Sequence, residues 1–435
     1  MQKLSLPDVI ALGFMTFALF LGAGNIIFPP MVGQAAGEHF WLAAIGFLLT
    51  GVGLPLLTIV ALARVGGGMD ILTAPIGRVA GTLLGVLVYL TIGPLVATPR
   101  TATVSFEVGF APFVADHPSS LFIYTVVYFS LALLVSLFPG KLIDNVGKYI
   151  TPALIVSLAV LAAAALLWPI GGAMHSAGLY QSAPLSQGFV QGYQTMDALG
   201  ALVFGIVIVN AIRDRRVSDA GLQTRYAIIA ALIAATGLAL VYLSFIYLGA
   251  TSGSIAPHAQ TGVPILTGFV LQTFGTAGEL LLAVVITLAC FTTAVGLISA
   301  CGEYFSRLLP VSYRTVVIAL SLVSLVVANQ GLAQLIAVSG PLLVGIYPVA
   351  ISLVALSLLS ALWRSPTRVF VPVMLVAVVM GLADAVRVAG VQALAPVWLD
   401  ALPGASLGMG WTAPVVVALL IAGAADRVCA RPRSA

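Results

Sequence analysis

Residues 17–30 read FALFLGAGNIIFPP and residues 191–205 read QGYQTMDALGALVFG. Each sits near the middle of a long apolar stretch, 8–35 and 187–211, and each collects residues that a helix interior resists. In the first, Gly22, Gly24 and Asn25 stand together, with Pro29 and Pro30 behind them. A glycine costs about 1 kcal/mol in a helix interior. Close packing through small residues would also use such glycines, but the added Asn25 and prolines point to local unwinding. In the second, Asp197 falls near the midpoint, roughly 15 Å below the outer end at about 1.5 Å per residue. A carboxylate at that depth is costly and is a functional candidate by default. The other reading is a structural carboxylate, protonated or capping the second half-helix. Irregular backbone survives at membrane depth only where it lines a cavity or protein interior.

Composition places the whole chain in a bilayer. Of 435 residues, 61% are hydrophobic and 7% charged, against about 25% charged in soluble domains. About twenty apolar residues cross a bilayer as helix, so the apolar pool fills about twelve spans. They fall at 8–35, 39–63, 75–106, 120–138, 142–168, 187–211, 221–250, 276–305, 313–329, 331–362, 367–391 and 405–425. The expected class is therefore an all-α membrane protein, one polytopic domain over 1–435. The net charge of +4 does not mark a nucleic-acid partner, because the basic residues are scattered singly. The first apolar stretch is too long for a signal-peptide core of about 7–15 residues. Cys290, Cys301 and Cys429 form no Cys-x-x-Cys pair and suggest no disulfide framework.

The basic residues orient the spans. With the N-terminus inside, Lys3, Arg64, Arg78, Lys141, Lys148, Arg213, Arg215, Arg216, Arg225, Arg307, Arg314, Arg364, Arg368, Arg427, Arg431 and Arg433 all fall on the cytoplasmic side, in loops, termini or span ends. Only Arg100 and Arg387 lie elsewhere. This is the positive-inside bias, and it places both termini in the cytoplasm. His39, His117, His175 and His258 fall in outside loops. The run Ile265–Leu271 is too short to span and reads as a re-entrant or surface helix over the outer mouth.

The two interrupted spans lie about 175 residues apart, and each opens a block of five spans. Five is odd, so the second block starts on the opposite side of the membrane. That is an inverted repeat, 8–168 and 187–362, followed by two extra helices in 366–425. Interrupted segments at corresponding positions point to a substrate site at the midplane. Half-helix N-termini suit a carboxylate, and unwound carbonyls suit a cation. Together they fit a zwitterion travelling with a metal ion. The eighth span adds Thr292 and Thr293 in ACFTTA, residues 289–294. Such hydroxyls commonly bond back to their own helix, but adjacent ones also suit a hard cation. Asp384 and Arg387 stand at i,i+3 in the eleventh span and read as a structural pair.

Three stretches, Phe20–Pro30, Pro99–Glu107 (PRTATVSFE) and Thr195–Asn210, resemble the branched-chain amino acid:cation symporter family, the bacterial LIV permeases. Through it the chain is similar to the amino acid–polyamine–organocation superfamily with the LeuT-type fold. The resemblance implies sodium-coupled import of leucine, isoleucine and valine across the bacterial cytoplasmic membrane. It implies that substrate meets Gly22, Ala23, Gly24 and Asn25 and, across the site, Asp197, Ala198, Leu199 and Gly200. It implies a Na+ site at the carbonyls of Ala18, Leu21 and Ala289 and the hydroxyls of Thr292 and Thr293. Five neutral oxygens suit a monovalent ion. Asp197 is left open between the ammonium, a second cation and a proton. Arg100 reads either as an outer gate or as a side chain reaching to the interface; Glu107, about 10 Å of rise away, makes a doubtful partner.

The rivals are weaker. A proton-coupled carrier of another small amino acid stays open. An intramembrane enzyme would want a nucleophile with a partnered base at depth, and no histidine lies at depth in a predicted span, His39 standing at the outer end of its own. A channel usually relies on oligomeric symmetry or rings of charge; neither the sequence nor the repeat sets an oligomeric state.

Overall fold

The computed structural model describes residues 4–114, 117–257, 259–391 and 397–429, and for 139–151, 397 and 429 the backbone alone. Of the residues used to orient the spans, Lys3, His258, Arg431 and Arg433 lie outside the described residues, as do the side chains of Lys141, Lys148 and Cys429. Among the described residues the chain is helical throughout, with no strand.

In chain order the helices are α1 (Leu6–Phe20), α2 (Ala23–Ala36), α3 (Phe40–Leu48), α4 (Leu54–Val65), α5 (Met69–Leu72), α6 (Arg78–Leu90), α7 (Ala97–Gly109), α8 (Ser120–Leu137) and α9 (Pro139–Leu167). There follow α10 (Pro184–Gln191), α11 (Asp197–Asp214), α12 (Ala220–Thr251), α13 (Gly262–Leu308), α14 (Tyr313–Ala328), α15 (Leu332–Leu358), α16 (Pro366–Val388) and α17 (Thr412–Cys429). Helix occupies every apolar stretch read from the sequence. Seven segments are long and apolar enough to cross a bilayer, eight when the bent pair Pro184–Thr195 and Asp197–Asp214 counts as one. α1 is shorter because a break separates it from α2, the other half of the first stretch.

Local chemistry starts and stops these helices. Ser5 caps α1: its hydroxyl accepts from Asp8 N at 3.4 Å while Asp8 accepts from Ser5 N at 3.2 Å, a reciprocal capping box. α1 ends where Leu21 leaves helical geometry (φ −71°, ψ 87°) and Gly22 is extended. α13 is two helices merged across Gly275 (φ 65°, ψ −164°), a left-handed position suited to glycine. Its first part, from Gly262, is the short helix expected near Ile265–Leu271, and Ile265, Leu266 and Phe269 bury its inner face.

The first break falls at Leu21–Gly22 and the second at Gly192–Met196, where a 3-10 turn ends in Met196 at φ +65°. Gly24, Asn25 and Asp197–Gly200, expected in the unwound segments, are instead first-turn residues of α2 and α11. The physical reason is that a helix restarts as soon as backbone and caps allow, and the amides of its first turn remain unpaired by the helix itself. A third interruption was not anticipated. Between α6 and α7 a wide turn at Thr91–Leu95 carries non-helical Gly93 (ψ −116°) and Pro94.

Two groups of helices sandwich the breaks. α12 lies along α1 and α2, α10 packs on α3, and α11 packs on α4. α7, α8, α13 and α14 form the second group. α16 packs on α15 and α17 on α16, at one edge. Glycines set the closest approaches: a Cβ at Gly33 would meet the Ile246 carbonyl, and one at Gly249 the Pro30 carbonyl. Overpacking of this kind costs about 1–3 kcal/mol. Gly33→Ala and Gly249→Ala are therefore expected to lower the melting temperature of the detergent-purified protein, measured by intrinsic fluorescence. Gly66→Ala, where a Cβ would meet nothing within 4 Å but φ is +69°, separates backbone strain from crowding.

Candidate functional site

The two breaks meet. A Cβ placed on Gly24 would stand 3.1 Å from Thr195 O and 3.2 Å from Thr195 Cα. The N-terminal turns of α2 and α11 thus abut with their unpaired amides near one another. In α11 the first helical bond is Gly200 N to Met196 O at 2.8 Å. The amides of Asp197, Ala198 and Leu199 precede it, and Asp197 N donates to Thr195 Oγ1 at 3.4 Å.

Side chains tie the two turns together. Asn25 Nδ2 donates to both oxygens of Asp197, at 3.0 and 2.8 Å. The Tyr242 hydroxyl, from α12, donates to Asp197 Oδ2 and accepts from Asn25 Nδ2. Asn25, Asp197 and Tyr242 are 1%, 4% and 0% exposed. A buried carboxylate is tolerable only when hydrogen-bonded, and here one amide and one phenol satisfy it. Asn25 also accepts from Gly22 N at 3.1 Å. Gly22 N is the amide that would otherwise have closed the helical turn onto Ala18 O, so that carbonyl is released.

Beside the first break lies an oxygen cluster. Thr293 Oγ1 donates to Leu21 O at 3.3 Å and to Ala289 O at 3.1 Å, and Thr292 Oγ1 donates to Ala289 O at 2.9 Å. Leu21 O belongs to the non-helical residue of the break, so it turns away from the α1 ladder. These are uncharged hard oxygens, the donor type that a small monovalent cation takes.

A cavity of about 40 Å³ opens between the breaks, room for about three waters. Polar Asn25, Arg100, Thr101, Asp197 and Thr293 line it together with apolar Leu19, Phe20, Ile92, Phe204 and Leu297. Phe20 and Phe204 meet edge to face at 6.2 Å. Arg100 is 1% exposed and does not reach out to the interface. Its Nη1 donates to Gln194 O at 2.8 Å and its Nη2 to Ser339 Oγ at 2.7 Å. The guanidinium lies 5.2 Å from the Phe28 ring centroid. It thereby ties α7 to the second break, α2 and α15 on the face opposite the arginine-rich loops. On the arginine-rich face a vestibule of about 600 Å³ enters between Arg78, Arg213 and Arg307. Of its lining residues, Tyr89, Val207 and Ala300 stand three positions, about one helical turn, from the cavity residues Ile92, Phe204 and Leu297.

Of the residues singled out in the sequence, Gly22, Ala23, Gly24, Asn25, Asp197 and Gly200 line the cavity, with Thr293 and Arg100. Ala198 and Leu199 sit behind it, as do Ala18, Leu21, Ala289 and Thr292. Tyr242, Gln194, Ser339 and the Gly93–Pro94 turn were missed. Only the Thr91–Pro94 run, a Gly-Pro inside an apolar stretch, carried a readable signal.

A family model described as "Branched-chain amino acid transport protein" matches residues 5–428. The branched-chain amino acid transport system 2 carrier protein of Pseudomonas aeruginosa is 64% identical over 98% of both chains. The branched-chain amino acid permease BrnQ of Escherichia coli K12 is 52% identical, over 99% of this chain and 98% of the relative. The permease BraB of Bacillus subtilis is 43% identical, over 97% and 96%. Two solved transporters share the fold. Mhp1, a nucleobase-cation-symport-1 family transporter closed around bromovinylhydantoin, aligns at TM-score 0.59 and 15% identity, over 97% of this chain and 92% of its own. MhsT in complex with L-phenylalanine aligns at 0.52 and 16%, over 98% and 99%.

Proposed function

The chain belongs to the branched-chain amino acid transport protein family, and on that premise we propose a sodium symporter that imports leucine, isoleucine and valine by alternating access. The observation that carries this reading is one cavity, lined by both polar and apolar side chains, built where two helix breaks meet. The substrate carboxylate and ammonium meet backbone at Gly22, Ala23 and Gly24 and at Ala198–Gly200, with Asn25 and Asp197 between. The branched side chain lies against Phe20, Ile92, Phe204 and Leu297. An apolar pocket separates one methylene by only about 1–3 kcal/mol, so the three amino acids compete. Leucine exceeds the present cavity, so binding requires the walls to part.

Sodium travels as a second substrate at Ala18, Leu21, Ala289, Thr292 and Thr293. The release of Ala18 O and Leu21 O from the α1 ladder supports this set. One charge crossing about 100 mV releases about 2.3 kcal/mol. In the cycle the group α1–α4 with α10–α12 rocks against α7, α8, α13 and α14, as inverted repeats 8–168 and 187–362 would allow. Both termini lie in the cytoplasm of a bacterium, and the 600 Å³ vestibule is the inward exit. Arg100 is the outer gate. Its planar fork spans two partners, which an ammonium does not reproduce, so Arg100→Lys is expected to slow uptake about ten- to a hundredfold, one lost charged hydrogen bond at about 1.5–3 kcal/mol. Initial rates in cells, scaled to transporter in the membrane, check this.

Proteoliposomes decide the coupling ion. Labelled leucine should accumulate under an inward sodium gradient and be displaced by isoleucine and valine. Accumulation driven by a proton gradient alone would favour the second reading, a proton-coupled carrier, which the buried Asp197 carboxylate also supports.

A further inference from the structure

The cavity, about 40 Å³, is smaller than leucine, and two positions at its wall hold glycine where packing does not ask for it. Gly200 lies in α11 and Gly296 in α13, both in helical backbone without a positive φ. A Cβ at Gly200 would meet nothing nearer than 3.9 Å, where Phe20 Cε1 and Phe204 Cδ2 and Cε2 stand. One at Gly296 would stand 3.4 Å from Leu19 Cδ2, and 3.6 and 3.9 Å from Phe204 Cε1 and Cζ. These are ordinary contact distances. By contrast, a Cβ at Gly46 would stand 1.9 Å from Leu185 O, and one at Gly188 2.0 Å from Ala43 O. Those glycines let helices approach; Gly200 and Gly296 do not. A helix interior prefers alanine to glycine, so the fold alone would place alanine at both.

Both positions border one ring. Phe204 stands four residues after Gly200, on the same face of α11. It is 3% exposed and meets Phe20 edge to face at 6.2 Å. Its Cδ2–Cε2 edge faces Gly200, while Cε1 and Cζ, on the other edge and tip, face Gly296. Gly200, Phe20, Phe204 and Leu297, the residue after Gly296, all line the cavity. α11 and α13 belong to the two different groups of helices. The ring is therefore a wall of the cavity with room for one carbon on each of two sides, one side given by each group.

We propose that Gly200 and Gly296 set the length of aliphatic side chain that the carrier accepts. As a substrate enters, the Phe204 ring shifts into the space left by the two missing Cβ atoms. The volume it vacates takes the terminal methyl groups of leucine or isoleucine. Valine, one carbon shorter, needs less of that movement. Protein interiors are packed closely enough that a single added methyl group is felt, so a methyl group on either glycine blocks the shift from its own side. Gly296 is the tighter of the two, because Leu19 already stands 3.4 Å from its Cβ position. The inference rests on the cavity being the substrate site.

Uptake of labelled leucine and valine by proteoliposomes holding Gly200→Ala or Gly296→Ala, under one sodium gradient, tests it. The ratio of kcat/KM for leucine to that for valine should fall about tenfold or more in each variant, the discrimination that one methylene gives. Isoleucine should follow leucine. Phe204→Leu added to Gly200→Ala should bring the ratio back toward the wild-type value, because a smaller wall needs no room to move. Both alanine variants should melt no lower than the wild type. A ratio unchanged in both variants would overturn the selection and leave transport standing. So would an equal loss of both substrates with a lowered melting temperature, which would make the two glycines packing positions. Failure of the wild type to carry either amino acid would overturn the transport reading, and the selection with it.

Discussion

Asp197→Ala is expected to cut leucine uptake about thirtyfold or more while the protein still reaches the membrane. The carboxylate accepts three hydrogen bonds from two residues on two other helices, Asn25 on α2 and Tyr242 on α12. Removing it leaves a buried amide and phenol without their shared acceptor, and the two helix turns lose their tether. Each of the two buried neutral groups that loses this acceptor costs about 1–3 kcal/mol, together about 2–6 kcal/mol, equivalent to about one and a half to four decades. Asp197→Asn separates charge from shape. It keeps the volume and one acceptor oxygen, so the Tyr242 and Asn25 bonds partly survive, and a large loss there assigns the effect to charge. Tyr242→Phe removes one neutral donor, worth about 1 kcal/mol, and should cost less than tenfold. Initial rates of labelled leucine uptake, scaled to the amount of transporter, give the order. Near-normal uptake by Asp197→Ala would remove the residue from the mechanism.

Thr293→Val is expected to raise the sodium concentration for half-maximal uptake about ten- to a hundredfold. Valine keeps the shape and removes the one hydroxyl that touches both sides of the cluster, Leu21 O and Ala289 O. A bond to a charged group contributes about 1.5–3 kcal/mol, and 1.4 kcal/mol is about tenfold. Saturating sodium should restore the leucine KM, because the residue serves the ion first. Thr293→Ser should retain most of the sodium affinity. Thr292→Val should act in the same direction but more weakly, since Thr292 reaches only Ala289 O. A sodium curve unmoved in Thr293→Val would take the cluster out of the coupling.

Much of this was legible in the residues. Charge scarcity and apolar runs announce a helical membrane protein, and Gly22, Gly24, Asn25 and Asp197 announce where the helices break. Helix breakers mark the neighbourhood of an interruption but not its edge. The chain re-enters helix at Ala23 because Asn25 caps Gly22 N, and at Asp197 because Met196 takes up the left-handed turn. Neither detail follows from composition. Tyr242 was invisible because a tyrosine in an apolar helix is ordinarily packing; only the 217 residues of chain that fold back onto Asn25 give it chemistry. Arg100 was visible as a rare charge in a span, but its partners, a backbone carbonyl and a serine, carry no sequence signature. Asp384 and Arg387 were read as a neutralising pair, and they are close at 3.5 Å.

A disulfide across the two breaks tests their meeting most directly. Gly24→Cys with Thr195→Cys, in a chain whose three native cysteines are replaced by alanine, puts two sulfurs where a Gly24 Cβ stands 3.2 Å from Thr195 Cα, within reach of a bond that needs Cβ atoms about 3.5–4.5 Å apart. The pair should oxidise in native membranes, stop leucine uptake until reduced, and form more slowly when leucine and sodium are present. A pair that never cross-links, or that cross-links at the same rate with leucine and sodium present, would contradict a substrate site between the broken helices.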